Sequence, residues 1–448
     1  MTRVAVVGGG LAGITAALRL ADSGCGVVLV EAKPRLGGLT HSFRRGDLVV
    51  DNGQHVFMRC CTSYRALLER LGVSELTTLQ PRLDVRVVDA RNGHRAQLHR
   101  DRLPAPLHLA RSLSRYRVLR PADRVRAARG AIALGRVDRF EARTDDRSFA
   151  DWLAAHGQTP ATIEALWDLV GVATMNAHAT DVSLAIAATV FQLGLLSDAT
   201  AADIGWSRVP LQQLHGDAAS RALEAAGADV RLRARVDRID HDRGTWMVVG
   251  PDVSIEADAV VIATDPVHME SLLPADAVGL PTQWSQRLGA APIVNLHLVY
   301  DEPVMTDDFV AGVGTPVQWV FDRTTQSGLR TGQCIAVSLS AADDVIDVPV
   351  ARLRDTFLPE LQRLLPRTRS ASLREFFVTR ERAATFRPAP GSARLRPPAV
   401  TSYGGLFLAG AHCATGWPAT MESAVRSGEA AAAAVLAATH RQATVVAA

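Results

Sequence analysis

The sequence predicts an α/β fold in which a discontinuous Rossmann-like domain is combined with a second, α+β domain. Three observations lead to this prediction. A short apolar run at 4–7 is followed at once by a glycine-rich turn at 8–13 and then by a helical pattern. Strand-like runs of small apolar residues return much later, at 258–264 and 405–411. A chain of 448 residues is also long enough to form two domains.

The glycine-rich turn has the spacing G-x-G-x-x-G, with Gly8, Gly10 and Gly13 in register. In such a turn the first glycine permits a tight bend and the second lets the backbone approach a pyrophosphate. The third lets the helix pack closely on the strand. The first helical turn, with Leu11 and Ala12, presents free N–H groups to phosphate. The turn therefore predicts a dinucleotide site.

An acidic residue and a second glycine pair narrow the choice of dinucleotide. Glu31 ends the second strand, where a carboxylate can accept hydrogen bonds from a ribose diol and would repel a 2′-phosphate. FAD and NAD fit this position, whereas NADP does not. Gly37 and Gly38 follow Arg35 and provide a second close backbone approach, which an FAD site uses and an NAD site does not need. The flanking residues also expected at the cofactor are Ala32 and Leu39.

These residues resemble the N-terminal signature of the flavoproteins that include the amine oxidases and phytoene desaturases, in which R-x-G-G follows the dinucleotide unit. The resemblance implies FAD as the cofactor and a fold of the amine oxidase and phytoene desaturase type. It also implies that three later segments reach FAD: a loop beside the flavin ring, a backbone contact to adenine and a C-terminal motif at the flavin edge. The residues in these segments are Gly53, Gln54 and His55; Val236; and Gly410, Trp417, Pro418, Thr420 and Met421.

The same reasoning divides the chain into two domains. Residues 1–75, 205–270 and 400–448 are assigned to the FAD-binding domain. Residues 76–204 and 271–399 are assigned to a domain that binds substrate and faces a membrane.

The amino-acid composition limits the possible binding partners and the cellular compartment of the protein. The net charge of +3 does not by itself indicate nucleic acid, and we expect no nucleic-acid partner. The cysteine count is odd and no C-x-x-C occurs, so neither a disulfide framework nor a metal site is expected. This cysteine usage suits a reducing cytoplasm. No apolar run reaches the length of about 18 residues that a membrane-spanning helix requires. The oligomeric state cannot be read from the sequence.

One mostly helical segment, Arg91 to Arg147, is strongly basic. It contains fifteen arginines and six acidic residues, whereas the whole chain has a net charge of only +3. Basic helices with interspersed apolar residues suit an anionic membrane surface. We therefore expect a cytoplasmic protein with peripheral contact to the inner face of the membrane through this segment. The alternative is a solvated helical face.

Two polar residues are candidates for catalysis. The loop that contains His55 is expected to pass the flavin ring, so His55 is the first candidate proton donor and Asp51 is the second. The apolar stretch Leu184 to Leu196 is a candidate wall of a substrate pocket, although an ordinary buried helix explains it equally well.

Within the superfamily, the closer resemblance is to the hydroxysqualene dehydroxylases. Two departures concern the substrate side, where Met175 precedes Asn176 in place of leucine and residues 169–171 replace a Pro-Leu-type run. The stretches that carry the resemblance are Asp51 to Phe57 with Cys60, Cys61, Thr62 and Tyr64; Trp167 with Ala173 to Asn176; Pro210, Leu211 and Leu214; and Gln318 to Arg323.

The resemblance implies a reaction and an isoprenoid lipid substrate. Reduced FAD would give a hydride from N5 to hydroxysqualene as its hydroxyl leaves, and the products would be squalene and water, in hopanoid or triterpenoid biosynthesis.

Three other activities remain open at this point. A carotenoid or phytoene-type desaturase would share the fold and cofactor but would run an oxidative reaction. An amine oxidase is less well supported, because amine oxidases of the superfamily commonly place a lysine near flavin N5 and the single lysine here, Lys33, lies in the ribose-side turn. A non-catalytic prenyl-binding protein of the same fold would not need the flavin-edge residues.

Overall fold

A computed structural model of the protein describes residues 1–242 and 244–446. The predicted FAD-binding segments include residue 243 and residues 447–448, which lie outside the described residues.

The strands are, in chain order, β1 (Arg3–Val7), β2 (Gly26–Glu31), β3 (Ser42–Arg45), β4 (Leu48–Asp51), β5 (Val56–Met58), β6 (Thr77–Leu79), β7 (Asp84–Asp89), β8 (His94–His99), β9 (Ile204–Ser207), β10 (Asp229–Leu232), β11 (Arg238–Asp242), β12 (Thr245–Gly250), β13 (Val253–Ala257), β14 (Ala259–Ile262), β15 (Ala290–Tyr300), β16 (Phe309–Val313), β17 (Trp319–Asp322), β18 (Gln333–Leu339), β19 (Leu373–Phe386) and β20 (Leu406–Leu408).

The α-helices are α1 (Leu11–Asp22), α2 (Thr62–Arg70), α3 (Ala110–Ser114), α4 (Pro121–Leu134), α5 (Ala142–Asp145), α6 (Phe149–Ala155), α7 (Pro160–Thr162), α8 (Asp168–Met175), α9 (Leu184–Phe191), α10 (Ala218–Ala225), α11 (Pro266–Leu272), α12 (Trp284–Leu288), α13 (Thr324–Ser327), α14 (Val350–Leu364) and α15 (Met421–Val446). Short π-helical segments adjoin α8, α9 and α10 at Ile163–Trp167, Gln192–Leu196 and Gln212–Asp217.

A five-stranded parallel sheet forms the Rossmann-like part of the molecule. Its strand order is β10-β2-β1-β14-β20, and every neighbouring pair is parallel. The predicted unit of strand, glycine turn, helix and strand is confirmed as β1, α1 and β2. Strands from residues 3–31, 229–262 and 406–408 meet in this sheet, so the predicted discontinuous α/β architecture is confirmed. The limits assigned to the two domains remain a prediction.

A seven-stranded sheet forms the second part, with the order β19-β15-β18-β17-β16-β7-β8. Its pairs are antiparallel except for β16 and β7, which are parallel. The long strand β15 is buried along almost its full length and packs with α14 in one apolar core. The sheet combines two early strands, β7 and β8, with five strands from residues 290–386. A mainly antiparallel sheet of this kind is typical of an α+β domain. In the described parts of the chain, no helix combines the length and apolar character needed to cross a bilayer.

The first and last helices pack against each other at very short range. A Cβ atom at Gly428 in α15 would lie 2.3 Å from the carbonyl oxygen of Ala12 and 2.9 Å from the Cβ of Thr15, both in α1. Only glycine therefore permits this approach of the two helices. The contact brings the C-terminal segment to the glycine turn at the start of α1.

A buried ion pair joins the two parts of the molecule. Asp51, at the end of β4, pairs with Arg323, which follows β17 of the seven-stranded sheet. The two side chains are only 3% and 10% exposed. Asp51 also accepts a hydrogen bond from the hydroxyl of Ser42 (2.5 Å) and one from the backbone N–H of Leu211 (3.0 Å). The carboxylate therefore fixes three segments that are far apart in sequence.

We predict that Asp51→Asn destabilises the protein strongly, because it leaves the buried Arg323 cation without a counter-charge. Loss of one partner of a buried pair costs about 3–5 kcal/mol. Urea unfolding followed by circular dichroism measures the change. The matched control is Asp347→Asn, whose carboxylate pairs with Arg382 at the surface and should leave the urea midpoint unchanged. Equal midpoints for the two variants would contradict the prediction.

Candidate cofactor and active site

Of the three glycines in the turn after β1, one has free space beside its Cα atom and two have none. A Cβ atom at Gly13 would lie 1.9 Å from the carbonyl oxygen of Gly8, and one at Gly8 would lie 2.5 Å from that of Ala263. A Cβ atom at Gly10 would meet only the Cα of Gly38, at 3.9 Å. Gly8 and Gly13 are therefore glycine because the fold has no room there, whereas Gly10 leaves free space in front of the N-terminus of α1.

The second glycine pair lies directly on the first turn. The N–H of Gly37 donates to the carbonyl of Gly9 (2.9 Å), and Gly38 adopts the left-handed backbone conformation with φ +57°. A Cβ atom at Gly38 would lie 2.9 Å from the Cα of Gly10. The two glycine turns thus form one backbone cradle, lined by N–H groups that can face a pyrophosphate.

Glu31 stands at one end of this cradle. Its two carboxylate oxygens accept the backbone N–H groups of Gly9 and Lys33, each at 2.7 Å. An ionised carboxylate has about four acceptor positions, so capacity remains for ribose hydroxyls. Beside it, the N–H of Ala234 donates to the carbonyl of Glu31 (2.9 Å), which brings the segment leading to the buried Val236 to this end of the cradle.

The remaining N-terminal candidates surround the same cradle. Leu11 and Ala12 are buried in the first turn of α1. Arg35 is half-buried, whereas Ala32 and Leu39 are exposed. The contacts predicted between these residues and the cofactor remain predictions.

The loop that contains His55 is tied to the second glycine turn. The side chain of Asn52 donates to the carbonyl of Leu39 (2.8 Å), and its backbone N–H donates to that of His41 (3.0 Å). Gly53 is buried, and Gln54 and His55 are half-buried. This loop therefore adjoins the chain that directly follows the second glycine turn.

The imidazole of His55 is held in a neutral form by its surroundings. Burial lowers the pKa of His55 below its ordinary value of 6.5, and the charge of Arg323 acts in the same direction. The carbonyl of Gly53, 3.3 Å from Nδ1, and the Asp51 carboxylate oppose this shift in the pKa. His55 can therefore deliver a proton readily once it has taken one up. Asp51, the other candidate donor, is instead paired with Arg323 and accepts hydrogen bonds from Ser42 and Leu211. Its role is therefore structural.

The C-terminal motif begins where β20 ends. The N–H of Gly410 donates to the hydroxyl of Ser427 in α15 (2.8 Å). Thr420 caps α15, because its hydroxyl accepts the N–H of Ser423 (3.2 Å). Met421 opens the helix and Pro418 is buried in the loop before it. The guanidinium of Arg426 lies 5.1 Å from the ring centre of Trp417 and holds the indole against the helix.

Several residues that the sequence did not single out position this motif. Glu422 is buried in the first turn of α15 and accepts the N–H groups of Ser63 (3.2 Å) and Tyr64 (2.8 Å), so it caps α2. The buried Arg396 donates to the carbonyls of His412 (3.2 Å) and Cys413 (2.5 Å), and its burial lowers its pKa to about 10. A glutamate or arginine in such a sequence carries no signal that it will bind a distant backbone.

A buried histidine, His215, lies near His55. His215, in the π-helical segment Gln212–Asp217, faces the hydroxyl of Tyr64 with Nε2 at 2.8 Å. Burial lowers the pKa of His215 to about 3, and the neighbouring His55 adds to the shift. Which of the two groups donates is set by the tautomer of the neutral His215 ring. A π-helical turn in such a position often marks a functional site.

The described residues fit a flavin dinucleotide at this site. The free space at Gly10 can admit a pyrophosphate, and the carboxylate of Glu31 keeps acceptor capacity for a ribose. Two buried oxygens at the His55 end, Oε1 of Gln54 and Oδ1 of Asn295, have no hydrogen-bond partner within the described chain, so they can accept from a ligand N–H. Together with the parallel sheet, these features define a dinucleotide-binding protein of the flavoprotein class.

Comparisons with known proteins agree with this class. The family described as flavin containing amine oxidoreductase matches residues 11–436. A hydroxysqualene dehydroxylase from Sinorhizobium fredii is 28% identical, covering 96% of this chain and 97% of that protein. A probable zeta-carotene desaturase from Synechococcus elongatus is 25% identical, covering 97% and 98%. The solved structure of cyclohexylamine oxidase from Brevibacterium oxydans superimposes with a TM-score of 0.70 at 22% identity, covering 98% and 99%, and shows the shared fold.

The chain belongs to the flavin containing amine oxidoreductase family. It is an FAD-dependent oxidoreductase, and the predicted cofactor and amine oxidase and phytoene desaturase type of fold are confirmed. The individual contacts of the site residues with FAD remain predictions.

We predict that Gly10→Val folds normally but does not retain FAD. The new side chain enters the free space that the pyrophosphate needs and meets no protein atom closer than Gly38. The ratio of flavin to protein absorbance measures the loss of cofactor, and thermal unfolding measures stability. Gly13→Val is the contrasting variant, because its Cβ atom would collide with Gly8 and should prevent folding. Full flavin content in folded Gly10→Val would show that the cradle has been assigned wrongly.

Proposed function

We propose that this enzyme reductively removes the hydroxyl group of hydroxysqualene, an isoprenoid allylic alcohol, to give squalene and water. When bound and reduced, FAD supplies the hydride for this reaction. The similarity to the hydroxysqualene dehydroxylase from Sinorhizobium fredii over nearly the whole chain supports the proposal. The residues that carry the resemblance within the site, from Asp51 to Phe57 and from Gln318 to Arg323, are also those that the buried ion pair brings together.

The position of His55 is the observation that carries the proposal. Asn52 ties the loop of His55 to the cofactor cradle. An apolar surface begins at the residue after His55, which is Val56 in β5. Val56 in β5 pairs with Trp206 in β9, and both side chains retain solvent exposure. A proton donor at this boundary can reach the oxygen of an alcohol whose hydrocarbon part lies on the apolar side.

The apolar surface is rich in aromatic rings. Trp206 and Trp319 are half-buried and both contact Phe309, with ring centres 5.5 Å and 6.1 Å apart respectively. Aromatic faces attract cations, and an allylic alcohol that loses its hydroxyl develops a delocalised cation. The rings would therefore stabilise the developing charge and keep water away from it.

The π-helical end of α9 closes the same region. A Cβ atom at Gly194 would lie 3.2 Å from the terminal methyl of Met58, which is the last residue of β5. Leu195 and Leu196 beside it remain half-buried. This contact supports the proposal that the stretch Leu184 to Leu196 supplies part of the pocket wall near His55.

The desaturase reaction is the second candidate, because the zeta-carotene desaturase from Synechococcus elongatus also matches nearly the full chain. A desaturase would bind a hydrocarbon without an oxygen and would not need a proton donor. The half-buried imidazole of His55 favours the dehydroxylation.

We further propose that the basic segment Arg91 to Arg147 attaches this cytoplasmic protein to the inner face of the membrane. Large apolar side chains in this segment are exposed, and Phe140 is 81% exposed. In α4, Val125, Arg129 and Ile132 share the outer face, so apolar and basic groups alternate there. Such a face suits an anionic bilayer, from which a water-insoluble isoprenoid would be taken. The exposed apolar residues of the segment are Leu103, Leu107, Val125, Ile132 and Phe140.

The reaction is tested with enzyme that has been reduced anaerobically and mixed with hydroxysqualene. We expect reoxidation of the flavin spectrum matched by squalene formation, and a much slower reaction in His55→Gln. Because only protonated His55 can donate, and because burial lowers its pKa, the rate should fall as pH rises, with a midpoint below 6.5. The His55→Gln variant should lack this dependence.

Three results would change the assignment. Reduction of oxidised enzyme by phytoene or squalene, without any reaction of hydroxysqualene, would favour the desaturase. Normal turnover in His55→Gln would leave the proposed reaction unchanged and would show that His55 is not the proton donor. An unchanged pH profile in His55→Gln would assign the proton transfer to another group.

Membrane attachment is tested by flotation with liposomes. We expect binding to anionic liposomes that weakens as salt rises, because screening reduces the attraction between arginine and lipid. The double variant Ile132→Asp, Phe140→Asp should bind less. The control is Val267→Asp, Val400→Asp, which places the same two charges at exposed apolar positions outside the basic segment. Binding that is independent of lipid charge, of salt and of the double variant would contradict the proposal.

A further inference from the structure

A second concave site lies in the seven-stranded sheet, outside the cofactor site. It is a cavity of about 650 Å³ between the β7–β8 hairpin, the segment after α3 and the end of α14. This volume is typical of small-ligand sites. Five arginines and one acidic residue, Asp307, line it, so its local charge exceeds the net charge of the whole chain. The arginines of this cleft are Arg86, Arg95, Arg115, Arg117 and Arg367.

Few carboxylates lie close enough to these arginines to neutralise their charge. The carboxylate of Asp307 lies 3.8 Å from Nε of Arg86, which is a loose contact, and Asp84 lies 4.0 Å from the same atom. Within the described chain, Arg95, Arg115, Arg117 and Arg367 have no carboxylate within 4.0 Å. Several guanidinium groups in one concavity concentrate positive potential there, and their planar donor groups match phosphate oxygens.

Neighbouring residues anchor the backbone that carries Arg115 and Arg117. Arg115 and Arg117 flank Tyr116, whose fully buried ring is anchored by its hydroxyl, which donates to the carbonyl of Ala165 (2.8 Å). The hydroxyl of the buried Ser112 accepts the N–H of His99 (3.1 Å), which fastens α3 to β8. The backbone on this side of the cleft is therefore already ordered before a ligand binds.

Strand pairing and the end of α14 provide the other walls. Arg86 is opposite Gln97, and Val88 is opposite Arg95, so the hairpin presents charged and apolar groups side by side. Arg367 follows the end of α14 in a short 3₁₀ turn. The cleft also has a narrow apolar edge on the α14 side, where the exposed Pro366 lies beside residues that belong mainly to the core, namely Val304, Val310, Leu364 and Leu365.

We propose that this cleft binds the phosphate-bearing head group of an amphiphile, with the arginines on the phosphate and the apolar edge against the attached chain. A phosphate monoester is a dianion near neutral pH, and several arginines suit it better than a singly charged carboxylate. The head group can belong to a soluble molecule or to a lipid within a bilayer. The proposal is independent of the reaction assigned to the flavin site.

The test measures binding of decyl phosphate to the FAD-loaded protein by isothermal titration. We expect one saturable site, tighter than that for inorganic phosphate because of the apolar edge. Arg115→Gln, Arg117→Gln should weaken it about tenfold or more, as loss of charged hydrogen bonds does. Arg111→Gln, Arg120→Gln is the control, because it removes the same charge from exposed positions of the same segment outside the cleft. A second cleft variant, Arg95→Gln, Arg367→Gln, should reproduce the loss.

Binding to lipid vesicles distinguishes a head group that belongs to a bilayer lipid from one that belongs to a soluble molecule. Phosphatidic acid carries a phosphate monoester, whereas phosphatidylglycerol carries a diester. A preference for phosphatidic acid vesicles that both cleft variants abolish supports a lipid source. Saturable decyl phosphate binding without that preference supports a soluble one. Equal weakening in the cleft variants and the control, or no saturable binding by the wild-type protein, would overturn the proposal.

Discussion

The buried pair of Asp51 and Arg323 is the contact on which the arrangement of the site depends. It joins the strand before the His55 loop to the seven-stranded sheet, and the same carboxylate holds Leu211 at the start of the π-helical turn that contains His215. Two charges in so little solvent are stable only because each compensates the other. This ion pair therefore helps to hold the cofactor half and the apolar half of the site in their relative position, together with hydrogen bonds such as that from the Thr379 hydroxyl to the carbonyl of Asn52 (3.2 Å).

Around this contact the site has two ends of different character. At one end Glu31 and the glycine turns offer backbone N–H groups and a carboxylate, which suits the polar part of a dinucleotide. At the other end His55 adjoins half-buried rings, of which Trp206 is the nearest in the strand pairing. The polar end follows from rules shared by many dinucleotide-binding proteins. The apolar end follows no such general rule, and it supports the proposal for the substrate.

The sequence predicted the polar end well because its signals are local. The turn at Gly8 to Gly13 and the strands on either side of it lie within thirty-one residues, and each part has a fixed geometric purpose. Long-range contacts were not predictable in this way. Asp51 looked like a candidate acid because of its place in a polar loop, but its partner Arg323 is 272 residues away, and no spacing rule connects them. The arginine cleft was visible only as an excess of basic residues, because strand pairing and the turn after α14 assemble it.

The contact of Gly428 with Ala12 has a consequence for the order in which the protein can form. The first helix begins at residue 11, but the strand β20 that completes the parallel sheet begins only at residue 406 and the partner helix at residue 421. Contacts of such large sequence separation are slow to form, and unpaired strands remain exposed until they do. The nascent Rossmann-like unit is therefore incomplete until β20 and α15 have been synthesised. Until then the edge of β14 that pairs with β20 stays open, and the C-terminal motif cannot yet contribute to holding the cofactor.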